Sequence, residues 1–139
     1  MSRRRAREAA LIVLFQIDVG HAEPEEALGR TVEDWRIPDP ECEYIKDVIF
    51  GTLAKLERID DIIRRLSRDW KIERMNSVDR NLMRLTLFEL LYREDIPPNV
   101  SINEAIELSK RYGGEESPRF INGILGKVAE KLEEYRKGQ

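Results

Sequence analysis

The sequence predicts an all-α fold of about seven helices that pack as two small bundles sharing one core. Three observations carry this. Apolar residues recur at spacings of three and four along almost the whole chain, strand-type alternation and hairpin dipeptides are missing, and helix start and stop signals punctuate the 139 residues at regular intervals.

The first helix is expected over residues 2–19, with Gly20 placed to stop it. Pro24, followed by Glu25 and Glu26, reads as the first turn of a second helix, with carboxylates at its positive end and Leu28, Val32 and Trp35 on one face. Ile37-Pro38-Asp39-Pro40 ends that helix and forms the clearest linker. From Tyr44 to Trp70 the apolar positions run on too long for one globular helix, so two helices are expected to meet near Ile59, with Asp60 as the cap of the second. The spacing favours core positions for both Trp35 and Trp70. The next helix starts at Asn76 or Ser77 and carries apolar groups on nearly every side to Leu91, which marks it as the central one. Ser101-Ile102-Asn103-Glu104 has the pattern of a capping box, with Val100 as its staple onto Ala105, and Gly113-Gly114 stops that helix. Ser117-Pro118 opens the last, which keeps Ile121, Ile124, Leu125, Val128 and Leu132 on one face.

Composition narrows the chemistry. The single cysteine, Cys42, offers no internal disulfide and lies between two glutamates that oppose a reactive thiolate. His21 stands alone beside a helix stop, Gly113-Gly114 lacks the lysine and preceding strand of a phosphate loop, and no spacing suits a metal, so neither an enzyme nor a cofactor is expected. The apolar run 11–15 is too short for a signal peptide core or a membrane span, and the expected location is the cytoplasm.

Charge is unevenly laid out. The chain carries a net charge of -3, yet four arginines stand within its first seven residues, while residues 23–43 hold eight carboxylates against two arginines. On a helical wheel Arg4, Arg7, Leu11 and Phe15 follow one face, so guanidinium groups lead to an aromatic ring, a combination that holds single-stranded nucleic acid by phosphates while a base stacks. Cations at a helix N-terminus oppose the dipole, which favours a binding role over a solvated helix end, and the Arg4 and Arg7 side chains are expected to be exposed; Phe15 fits core and contact equally well. The second notable stretch, SPRFINGILGK, places Gly123 and Gly126 inside a helix at a cost of about 1 kcal/mol each relative to alanine. Close approach of a ligand and tight packing against another helix both account for them.

RRRAREAALIVLFQ at the start, VDRNLMRLTLFELL at residues 78–91 and INEAIELSKRYGGEESPRFINGIL at residues 102–125 resemble the NusB family over nearly the whole chain. The resemblance implies two three-helix bundles, about residues 1–70 and 71–139, forming a single RNA-binding domain. It implies binding to boxA, a short single-stranded RNA element of nascent ribosomal transcripts, together with the ribosomal small-subunit protein NusE. Other Nus factors and RNA polymerase would be reached indirectly, and several faces could pair with a second copy. By position, Arg3, Arg4, Arg5 and Arg7 match basic RNA contacts; Phe15 stands where the family often has tyrosine; Phe120 and Asn122 fall on the F-[VI]-N-G motif, with Glu116 and Ser117 in the adjoining loop. Asp79 matches an acidic position at the NusE interface, near Arg80 and Arg84, and Gly126 departs from the aspartate of NGxLD. The competing expectation is a helical protein-interaction module whose arginine tail is incidental.

Overall fold

The computed structural model describes residues 1–68 and 70–138 and bears out the all-helical class, with eight α-helices and one short 3₁₀ turn among the described residues. They are α1 (Arg3–Gly20), α2 (Pro24–Asp34), α3 (Asp39–Ala54), α4 (Leu56–Leu66), the 3₁₀ turn Ile72–Arg74, α5 (Ser77–Tyr92), α6 (Pro98–Tyr112), α7 (Ser117–Glu130) and α8 (Leu132–Lys137).

Side-chain caps set three of the starts. Ser2 Oγ accepts from Arg5 N at the head of α1, the Glu23 carboxylate accepts from Glu25 N and Glu26 N at the head of α2, and Asn76 Oδ1 accepts from Val78 N and Asp79 N at the head of α5. At the end of α1 it is His21, not Gly20, that takes the left-handed conformation, with φ +53°.

Three expectations are corrected. Pro38-Asp39-Pro40 is not a linker: Pro38 is extended, and Asp39 and Pro40 already form the first turn of α3, where a proline loses no hydrogen bond. The α3–α4 join falls at Lys55, because Asp60 caps nothing and instead pairs with Arg84. The SINE box is no cap either. Pro98, with its fixed φ, starts α6 three residues earlier, which buries Ser101 within the helix and leaves Val100 exposed.

Helix α5 is the centre, as its apolar sides predict: it packs against α1, α3, α4, α6, α7 and α8. Around it α1 packs on α2 and α3, and α6 on α7, so that the buried apolar side chains form one cluster. Gly51 permits the close approach of α3 to α5, since a Cβ there would lie 2.3 Å from the Phe88 ring. Trp35 is half-buried, but Trp70 is 58% exposed, contrary to its expected place in the core.

Candidate nucleic-acid interface

The arginines of α1 have two fates. Arg7 is buried: its Nε lies 3.1 Å and its Nη2 3.0 Å from Glu89 Oε1. The same carboxylate accepts from Ser101 Oγ at 2.9 Å and from the Tyr44 hydroxyl. Four helices thus meet on one glutamate. Burial, with the neighbouring Glu89 charge, pushes the Tyr44 phenol far above its ordinary range, so it stays a donor. The expectation that Arg7 is exposed is therefore overturned. A carboxylate satisfied by three side chains holds it inside.

Arg3, Arg4 and Arg5 remain at the surface, each resting on a specific partner. The Arg3 guanidinium lies 4.7 Å from the Tyr44 ring centroid, Arg5 lies 4.0 Å from that of Trp35, and Arg4 Nε donates to Glu104 Oε2 at 2.6 Å. Farther along α1, buried Glu8 accepts from the Tyr112 hydroxyl at 2.5 Å and from Arg111 at 3.4 Å. Residues 4 and 8 thus tie to 104 and 112 in the same order, which runs the outer edge of α1 alongside α6 toward the loop before α7. Phe15, farther along α1, is half-buried and outside the set of fully buried core residues.

At the α6–α7 loop, Ser117 is buried and its Oγ accepts from Gly114 N at 2.8 Å. Glu116 and Asn122 are exposed, and Phe120 is half-buried against the core. A Cβ built at Gly123 or Gly126 would meet nothing within 4 Å, so packing within this chain does not explain either glycine. Phe120 and Ser117 line a cleft of about 660 Å³ together with Trp70, Arg74, Arg119 and Asp79.

The acidic and basic residues expected to act together at a protein interface are divided. Asp79 is buried in the cleft wall; burial raises its carboxyl above the ordinary range despite a hydrogen bond from Ser117, and its Oδ1 has no partner. Arg80 and Arg84 line a separate cleft of about 260 Å³, where both are drawn into ion pairs. Arg80 Nη2 lies 2.7 Å from Asp18, and Arg84 clasps both Asp60 oxygens at 2.8 Å. Desolvation raises the Asp18 carboxyl, but hydrogen bonds from Arg80 and Asn81, with the charges of Arg84 and Arg80, outweigh it and leave the group below its usual value.

Sequence reasoning missed Trp35, Tyr44 and Glu104 as supports of the arginines, because partners 30 to 100 residues away leave no local pattern. It also missed Trp70 in the cleft. There a signal existed, since the ring stands between Arg68 and Lys71, a poor setting for a core position.

Comparison with known proteins fits this geometry. Residues 4–130 match the model of the NusB family. The transcription antitermination protein NusB of Desulforudis audaxviator (strain MP104C) is 51% identical over 136 residues, covering 98% of this chain and 99% of that protein. Among solved structures, T. maritima NusB matches with a TM-score of 0.88 and 39% identity, covering 94% of this chain and 92% of that one. A complex of the antitermination factors NusB and NusE with double-stranded RNA contains a chain that matches with a TM-score of 0.82 and 29% identity, over 94% of this chain and 99% of that one. With a family match across most of its length and a half-identical relative of the same extent, this chain belongs to the NusB family, whose members are transcription antitermination proteins and not enzymes.

Proposed function

We propose that this protein is an RNA-binding adaptor of transcription antitermination: it loads boxA RNA of nascent ribosomal transcripts in the cytoplasm as a heterodimer with NusE, and through that pair joins other Nus factors on RNA polymerase. The observation that carries the RNA reading is the trio Arg3, Arg4 and Arg5, held out from α1 on Tyr44, Glu104 and Trp35. Three guanidinium groups supported at separate points suit successive phosphates of a single strand, and the half-buried Phe15 on the same helix and Phe120 with exposed Asn122 on α7 are the side chains proposed for its bases. The solved relative bound to NusE and RNA supports both partners.

Fluorescence anisotropy of labelled boxA-like RNA, against a scrambled strand and with or without NusE, tests this at two salt concentrations. Three phosphate contacts predict a log-log salt slope of roughly -2, at about -0.7 per phosphate. Binding that tightens for boxA when NusE is added establishes the adaptor. A salt-insensitive complex with no preference for boxA leaves a protein-interaction module.

A further inference from the structure

We propose that Arg111, in the last turn of α6, is a further phosphate contact that stands beside Arg5 and adds a fourth cation to the track of Arg3, Arg4 and Arg5. This rests on the RNA reading and assigns a residue which that reading does not use. Two ties set the α1 edge against α6, Arg4 to Glu104 and Glu8 to Tyr112. Arg111 stands at the second tie: its Nη1 lies 3.4 Å from Glu8 Oε1, while Arg5 Nη1 lies 3.6 Å from Glu8 Oε2. Guanidinium groups from two helices thus meet the two oxygens of one carboxylate, a spacing that suits neighbouring phosphates of one strand.

The charge balance at this point favours an anion. Arg4 is hydrogen-bonded to a carboxylate of its own, but around Glu8 two arginines share one carboxylate, which is buried and already accepts from the Tyr112 hydroxyl at 2.5 Å. Positive charge is left in excess there, and it faces water, since the Arg111 side chain is 62% exposed and that of Arg5 49%. Among the described residues, the long 3.4 Å contact to Glu8 is the one hydrogen bond that Arg111 makes, from a group with five N–H donors. Its guanidinium lies 5.5 Å from the Tyr112 ring centroid, a support that uses none of those donors. An exposed ion pair of this kind adds little to stability, whereas oriented donors with free N–H groups suit phosphate oxygens. The α6 dipole also favours a cation in the last turn, but Lys110 shares that gain and pairs instead with Glu107 at 3.6 Å on its own helix. Arg111 differs from Lys110 in reaching the α1 edge.

The test titrates the full chain, with NusE present, into labelled boxA-like and scrambled RNA across a salt series. Four phosphate contacts predict a log-log slope of roughly -3 in place of the roughly -2 of the trio alone, at about -0.7 per phosphate. Arg111→Ala should flatten the slope by about 0.7 and weaken both RNAs by roughly fivefold, because a phosphate contact carries no base preference. Arg111→Lys should keep the slope, Lys110→Ala should leave it unchanged, and the circular dichroism of all three should match the parent chain. An unaltered slope for Arg111→Ala, with Arg4→Ala still flattening it, takes Arg111 off the track and leaves the RNA reading standing. A loss for Lys110→Ala as large as that for Arg111→Ala makes the effect one of overall charge and overturns the assignment. A loss confined to boxA, or weakened NusE binding without RNA, makes Arg111 a base or protein contact and equally overturns it. No RNA binding by the parent chain, with or without NusE, sinks the RNA reading and this inference together.

Discussion

Arg4 and Arg7 stand one helical turn apart in the same basic run, yet one sits half in water on Glu104 and the other is sealed against Glu89. The difference lies in what the rest of the chain brings to each. Around Arg7, α3, α5 and α6 contribute Tyr44, Glu89 and Ser101, so the charge enters the core already paired and hydrogen-bonded. Arg4 instead donates to Glu104 at the surface, with Glu107 and Glu8 acting on it by charge alone, and the rest of the guanidinium faces solvent. A run of like charges is thus not one feature: its inner member organises four helices and its outer members face the solvent.

Removing the Glu89 carboxylate should have the largest effect. Glu89→Gln leaves Arg7 charged and unpaired in the core and should cost about 3–5 kcal/mol in denaturant unfolding, whereas the double change Arg7→Met with Glu89→Leu should cost less than the single one. A single variant as stable as the wild type would erase the contrast between the two arginines. Asp18→Asn comes next, at about 2 kcal/mol near neutral pH, because Arg80, Arg84 and Asn81 lose a charged acceptor. The folded state holds the Asp18 carboxyl below its ordinary value, so its contribution is present above the usual carboxylate range and fades as pH falls through the lowered one; wild type and variant should converge in acid. Gly123→Ala should raise stability by about 1 kcal/mol, since the site is helical, exposed and open to a Cβ, and a melting curve checks it. Arg4→Ala should leave the melting curve unchanged while weakening RNA binding and flattening its salt slope by about 0.7. An unaltered slope would remove Arg4 from the phosphate contacts.

What the sequence made legible follows the range of the interactions. Periodicity identified α5 as the central helix, and local residues marked the heads of α2 at Pro24 and of α5 at Asn76 or Ser77, because both depend on residues a few positions apart. The same local rules failed where a distant partner competed. Ser101 and Glu104 form a sound capping box in isolation, but Glu89 claims the serine and Arg4 the glutamate. Asp60 was read as a cap and went to Arg84; Arg7 was read as exposed and went to Glu89. Phe120, Ser117 and Glu116 were named from motif, while their grouping with Trp70 and Asp79 along one cleft needed the fold.

The Arg7–Glu89 pair spans 82 positions, and the ties from Arg4 and Glu8 span 100 and 104. During synthesis at about 5–20 residues per second, the codons for those partners are read roughly 4–16 s or more after α1 is made, whereas helix formation takes on the order of a microsecond. The first helix built is consequently among the last to be locked. Arg3 and Arg5 can meet Tyr44 and Trp35 while the chain is still short, but Arg7 waits for Glu89 on α5 and Arg4 for Glu104 on α6, so the basic run is set in stages and its outermost ion pair comes last.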